Sequence, residues 1–324
     1  MPTKSAIVTE VKCFLIRAVL WLWPLAGWAG HACLPCHEAQ VRTHLESSHA
    51  RSLRPVADTE FYRALPAGPI LEAHGGFALR YARLGRGLLV TAERGPERVS
   101  ALLVWAFGAG VQGVTPVGLL EGVYIEHRIS YYARPARFDL TLGHEPGISA
   151  NARTALGLAQ MSDTIHKCFG CHATAVTEDL RFVEPGVQCE RCHPGAQEHA
   201  QGGHAPFNAG RLPPRELVRF CADCHRSSPP GNPADPINIR FQPYRLMMSR
   251  CYAAGKLSCV NCHDPHTNAR REAAFYEAQC LSCHARAHAR GNCLPCHMPR
   301  SSPAPYLTFT DHYIRKRIPT ALSR

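Results

Sequence analysis

Apolar side chains change their pattern twice along this chain, and each pattern predicts a different kind of structure. At the start, Lys4, Lys12 and Arg17 precede an apolar run from Ala18 to Trp28 that ends in Gly27-Trp28-Ala29-Gly30. A run of 11 residues falls short of the roughly 20 that cross a bilayer. A basic lead, a short apolar segment and a small-residue exit are the layout of a secretory signal peptide. Residues 1–29 are therefore expected to be removed on export, an uncleaved anchor being the alternative. No other apolar stretch is long enough to span.

Between residues 67 and 150 the pattern becomes alternating. Gly76 to Ala82, Gly87 to Ala92, Val99 to Phe107, Val123 to Tyr132 and Arg137 to Leu142 are rich in Val, Leu, Tyr and Phe and are punctuated by Gly and Pro. A period of two with such punctuation marks half-buried strands, so this stretch predicts a small antiparallel β-element of four to six strands. From Asn151 onward the alternation disappears. Short helical stretches such as Pro214 to Cys221 and Glu272 to Cys280 are joined by Pro- and Gly-rich loops such as Ser227 to Pro236.

Composition changes this picture through one residue type. The 324 residues include 16 cysteines, too many for the free thiols of a cytosolic enzyme. Fourteen of them stand in seven copies of Cys-x-x-Cys-His: Cys33/Cys36/His37, Cys168/Cys171/His172, Cys189/Cys192/His193, Cys221/Cys224/His225, Cys259/Cys262/His263, Cys280/Cys283/His284 and Cys293/Cys296/His297. The pentapeptide is a c-type haem attachment signal, because two cysteines at that gap reach both vinyl groups while the next His turns onto the iron. Zinc knuckles do not need a His after every second cysteine, and disulfides need no His at all. Of the two remaining cysteines, Cys13 leaves with the signal peptide, and Cys251 is expected as a tucked thiol near the haem that begins at Cys259.

Six motifs fall in the 174 residues from Asn151 to Arg324, 29 residues per motif, which leaves no room for an aliphatic core. The expected fold class is therefore a multihaem cytochrome c, mainly short helices and loops packed around haems, with a β-rich insert between the first and second motifs (α+β). The expected organisation is 1–29 signal peptide, 30–66 N-terminal single-haem segment, 67–150 haem-free insert and 151–324 six-haem domain.

The sixth position on each iron separates a carrier from a catalyst, so the other histidines matter. The chain has 19, which leaves twelve beyond the motifs. His266, on a Pro-stiffened turn after His263, is expected to serve a neighbouring haem. His199 after a Pro-Gly turn, His288 between two close motifs, His49 and His312 complete the first choice. His127, His144 and His166 are further candidates, while His31, His44, His74 and His204 read as ordinary polar positions. Met298, Met247 and Met248 read as packing.

The formal charge of +11 is spread along the chain rather than gathered into a stripe, which argues against nucleic acid. Loss of residues 1–29 leaves +9, and seven ferric haems with ionised propionates bring it to roughly +2. The Arg excess then reads as propionate partners.

Several segments resemble the multihaem cytochrome c-554-like family of exported bacterial cytochromes. They are Cys33 to His37 with Ser48-His49, Gly186-Val187-Gln188-Cys189 to Gly195 with His199, Ser258 to His266, Cys296-His297-Met298-Pro299-Arg300, and Asp311-His312. Relatives read Cys-His-Gly-Pro-Gly where His193 is followed here by Pro194-Gly195. The resemblance implies largely bis-histidine, low-spin haems stacked in pairs, with His49, His199, His266, His288 and His312 as distal ligands. The expected function is electron transfer outside the cytoplasm, in the periplasm or beyond. Redox proteins, including a membrane oxidoreductase complex, are the expected partners, with self-association a further option. The rival is an oxidoreductase of the nitrite, hydroxylamine or tetrathionate class with one open-coordination haem.

Overall fold

The computed structural model describes residues 32–72, 76–284 and 293–316. Residues 1–29, expected to be a signal peptide, and His31, His74 and His288 lie outside the described residues.

The helix Leu34–Leu45 carries the first motif and buries only Val41 and His44. β1 (Leu53–Pro55) follows, then β2 (Ile70–Leu71), β3 (Ala78–Leu84), β4 (Gly87–Arg94), β5 (Glu97–Phe107), β6 (Gly113–Leu120), β7 (Val123–His127), β8 (Ile129–Tyr132), β9 (Arg137–Leu140) and β10 (Gly157–Ala159). These ten strands form one antiparallel sheet in the order β10-β7-β6-β5-β4-β3-β2, with β1 on β5, β8 on β6 and β9 on β8. The alternation works as the pleat demands: Leu88, Val90 and Ala92 of β4 and Ala101 and Leu103 of β5 turn to one side, against Phe61, Phe77 and Leu79.

The sheet is larger than the sequence pattern predicts, since eight strands rather than four to six lie within residues 67–150. Alternation misses β6 because Pro116 and Gly118 interrupt it. Gly118 is required there, as a Cβ would overlap the Leu102 carbonyl oxygen and Leu103 Cα, where β5 bulges between Leu103 and Trp105. Val123 to Tyr132 is two strands rather than one, parted at Arg128. That side chain turns inward to Glu72 (Nε to Oε1 2.9 Å) and to the carbonyls of Glu145 and Gly147. Burial alone would raise the Glu72 carboxyl; the hydrogen bonds from Ser149 and the Phe77 N–H, with the Arg128 charge, outweigh it and hold the group below its ordinary range.

Because β1 and β10 come from outside residues 67–150, the sheet is tied to the motif-bearing segments on both sides. A second apolar cluster completes the tie: Leu53, Trp105 and Val117 from the sheet pack on Ile165, Phe169 and Ala173. Ile165 and Phe169 belong to the helix Ser162–His172, which ends in the second motif.

Beyond this point the chain is short helices and two hairpins, β11 (Ala173–Val176) with β12 (Phe182–Pro185) and β13 (Arg300–Ala304) with β14 (Leu307–Thr310). The helices Pro214–His225 and Ala273–Leu281 lie where the sequence predicts them. Among the described residues no apolar side chain after Leu246 is buried, and no helix is long and apolar enough to cross a membrane.

Candidate haem-binding site

Each Cys-x-x-Cys-His segment closes as a single turn. In four of them the His N–H donates to the carbonyl of the first Cys: His37 to Cys33 (2.8 Å), His193 to Cys189 (2.9 Å), His263 to Cys259 (2.9 Å) and His284 to Cys280 (3.0 Å). The other three lie in the helices Ser162–His172, Pro214–His225 and Cys293–His297. One turn puts the two sulfurs and the imidazole of a motif on neighbouring faces, as attachment to one flat macrocycle requires. None of the fourteen motif cysteines is paired in a disulfide and none is fully buried.

Cys36 is exposed rather than enclosed, because its helix turns Val41 and His44 inward and leaves the residues around Cys36 facing solvent. Its N–H still closes the motif turn onto the Cys33 carbonyl (3.2 Å), so the spacing of the two sulfurs is kept although the chain does not cover the second one. Cys283 and Cys296, the second cysteines of the last two motifs, are exposed in the same way.

The motifs gather into one connected array. Cys33 interacts with Cys189, Cys171 with Cys224, and Cys221 with Cys259. Cys192 interacts with Cys221 and Cys224, Cys262 with Cys280, and Cys280 with Cys293 and Cys251. Every motif thus adjoins at least one other, and the fourth touches three. The first motif joins the array through Cys33. Cys251 is half-buried and interacts with Cys280 of the sixth motif.

Three pairs of imidazoles face each other across gaps of one size. Ring centroids are 6.0 Å apart for His49 and His225, 6.1 Å for His193 and His266, and 6.2 Å for His263 and His312. A bond of about 2 Å from each ring nitrogen to a shared metal ion places two ring centres roughly 6 Å apart, so the separation fits an iron held between each pair. The ring planes differ, at 72°, 3° and 35° respectively. Each pair joins a motif histidine to one from outside the motifs, and His49 and His266 are provided by distant segments.

Hydrogen bonds orient these rings in the manner of metal ligands, which commonly donate Nδ1–H to a carbonyl or carboxylate and keep Nε2 for the metal. His49 Nδ1 meets the Pro265 carbonyl (3.1 Å), His193 the Phe207 carbonyl (3.1 Å), His266 the Asp264 carboxylate (2.9 Å) and His312 the Thr310 carbonyl (3.0 Å). His172 Nδ1 meets the Ser52 carbonyl (3.1 Å) and His297 Nδ1 the Arg315 carbonyl (2.9 Å). Asn268 clamps the turn before His49 to the loop carrying His266: its Oδ1 accepts from Ser48 N–H (2.8 Å) and hydroxyl (2.7 Å), and its amide donates to the Glu46 carbonyl (3.0 Å).

Protonation favours the same role. Burial lowers His312 to about 4, with the Thr310 carbonyl opposing and His263 reinforcing. His225 also stands at about 4, the atoms packed around it acting first and the His49 imidazole next, although part of the residue is solvent-exposed. Burial also lowers His172 and His263. These rings are neutral at physiological pH, the form that ligates metal.

Other candidates are placed differently. His127 has no nitrogen to offer: buried in the sheet's core, it meets the Leu156 carbonyl through Nδ1 (2.6 Å) and the Tyr81 hydroxyl through Nε2 (2.8 Å). Strand register sends it inward, and burial lowers it to about 4. The His144 side chain is enclosed, with Nε2 3.4 Å from Glu126 Oε2. His166 lies half-buried on the helix of the second motif, while His199 and His37 are exposed on short helices and His284 is exposed at the end of its turn. His44, an ordinary polar position by sequence, is buried beside the array, 6.4 Å from the His266 ring, with Nε2 donating to the Val187 carbonyl (2.9 Å). Its signal is its spacing from Val41, which puts both on the helix's inward face.

Sequence reasoning about ligands does not reach the groups behind them. Asp311 is buried and accepts from Arg245 Nε and Nη2 (2.9 Å each), Arg315 Nη1 (2.8 Å) and the Tyr313 N–H (3.0 Å). Burial would raise its carboxyl, but these donors prevail and hold it at about 2.

Comparison with known proteins agrees with this chemistry over part of the chain. Residues 142–194, with two of the seven motifs, match the family described as cytochrome c554 and c-prime. No curated protein matches the chain. A solved structure described as the outer cell wall cytochrome OcwA is similar over 61% of this chain and 37% of its own, at 18% identity and a TM-score of 0.37. The family match supports a c-type cytochrome that binds haem.

Proposed function

We propose that the chain is an exported c-type cytochrome that holds seven haems, most with two axial histidines, and transfers electrons between redox partners. The observation that carries this reading is the set of facing imidazoles at 6.0, 6.1 and 6.2 Å, each joining a motif to a histidine placed opposite it. Bound haem supplies a ferric/ferrous couple, so one electron moves without a substrate. The chain's part is attachment by paired cysteines, ligation by neutral imidazoles, and orientation of those imidazoles through Nδ1.

His49 is assigned to the haem of His225, His266 to that of His193, and His312 to that of His263. His288 and His199 are assigned to haems of the remaining motifs. The haems attached at Cys33/Cys36, Cys280/Cys283 and Cys293/Cys296 are read as open edges of the array, since the second cysteine of each is exposed, where electrons enter or leave. The spread of basic residues disfavours nucleic acid, and the insert of residues 67–150 is assigned as the part on which a redox partner would dock. Export rests on the N-terminal segment.

Mass spectrometry and magnetic resonance of the matured protein test this together. The expected mass is the processed chain plus seven haems, and the expected ferric spectrum is dominated by low-spin signals. A high-spin component that binds nitrite or hydroxylamine and turns it over replaces the carrier reading with an oxidoreductase. Fewer than seven attached haems overturns the count.

A further inference from the structure

The C-terminal strap, residues 311–316, touches two motifs. At one end His312 faces His263 at 6.2 Å. At the other, the Arg315 carbonyl accepts from His297 Nδ1 (2.9 Å), and the Arg315 N–H meets the His297 carbonyl (3.4 Å). The strap has no apolar anchor of its own, since its only fully buried member is Asp311.

Polar contacts therefore fix it. The Asp311 carboxylate takes a two-pronged guanidinium contact from Arg245, on the helix Gln242–Met247, and a third from Arg315 in the strap itself. Arg–carboxylate forks constrain direction as well as distance. Ser249, fully buried just past that helix, accepts from the Ile314 N–H (2.8 Å) and donates to the His312 carbonyl (3.3 Å). A slip of about 1 Å at a ligand is enough to break a coordinate bond of about 2 Å, and residue 312 is the immediate neighbour of the clasp.

We infer that Asp311 is the positioning residue that seats His312 opposite His263, so that Arg245, Asp311 and Arg315 set the coordination of the haem attached at Cys259 and Cys262. The inference rests on the reading of His312 as an iron ligand. Asp311 itself touches no iron; it acts through the backbone that carries His312.

The test uses matured protein with attached haems counted by mass, and reads His312→Ala beside Asp311→Asn. In His312→Ala one haem in seven becomes high-spin, and the reduced protein binds one equivalent of carbon monoxide beyond wild type. Asp311→Asn is expected to give the same new signal, and added imidazole is expected to return both variants to low spin, which a misfolded chain would not do. Arg245→Lys keeps the charge but loses the fork; it is expected to show a partial high-spin fraction and serves where Asp311→Asn does not accumulate. Seven haems with a wild-type low-spin spectrum in Asp311→Asn, or in Arg245→Lys when only that variant accumulates, overturns the positioning role while leaving the ligand reading intact. No new signal in His312→Ala overturns the ligand reading, and the positioning role with it.

Discussion

A buried histidine can be a metal ligand or a satisfied core residue, and its two nitrogens decide which. His312 commits Nδ1 to Thr310 and turns its ring to His263, whereas His127 commits both nitrogens, to Leu156 and Tyr81. A histidine count treats the two alike, since the difference lies in partners set by strand register. His127→Phe is expected to leave the haem spectrum and haem count unchanged but to destabilise the sheet by about 1–3 kcal/mol, because the Tyr81 hydroxyl loses its buried acceptor. The pH dependence has a definite sign. His127 is depressed to about 4 in the fold against about 6.5 unfolded, so the unfolded chain binds the extra proton first. Its contribution is whole above about pH 6.5 and is lost as pH falls toward about 4, a difference on the order of 3 kcal/mol. Urea titrations of wild type and His127→Phe between those limits check this, and equal slopes of stability against pH would refute it.

At the scale of elements, legibility depends on how local the cause is. The helices Pro214–His225 and Ala273–Leu281 are readable because their causes, a Pro in the first turn of one and good helix formers in the other, lie within a dozen residues. The seven motifs are readable for the same reason, but their exposure is not: nothing in the first pentapeptide tells that Cys33 meets Cys189 while Cys36 faces solvent. β6 is not readable either, because Pro116 and Gly118 look like breakers until β5 is seen pressed against Gly118. The ligand pairs are half readable: His49 and His266 stand out in their own segments, but the contacts that bring those segments together, from Asn268 to Ser48 and Glu46, span more than 200 residues and no local pattern encodes them. Gly118→Ala tests the reading of β6. A methyl group driven into the Leu102 carbonyl forces β5 and β6 apart, at an expected cost on the order of 3 kcal/mol. Loss of folded β-signal at a correspondingly lower denaturant midpoint is the expected result, and an unchanged midpoint would show that the strands separate without strain.

The whole molecule is held together in two different ways. From β1 to β12 there are two apolar clusters, one within the sheet and one joining it to the helix of the second motif, and burial of that kind stabilises a domain without any cofactor. Among the described residues beyond Leu246 there is no buried apolar side chain, while the last three motifs lie there: Cys259, Cys262 and His263, with His312 facing them, then Cys280, Cys283 and His284, and Cys293, Cys296 and His297. On the proposed reading, the haems held by these motifs pack this region, and binding free energy becomes folding free energy, as it does in small metal-dependent domains. Chain produced in a compartment without haem attachment is thus expected to keep its β-sheet circular-dichroism signal while limited proteolysis cuts freely beyond about residue 247. Matured protein is expected to resist the same protease along its length. The contrast isolates the cofactor as the core: equal resistance of the two forms would mean that the turns and ion pairs around Asp311 suffice to hold this half, and that the array is preformed rather than assembled around its haems.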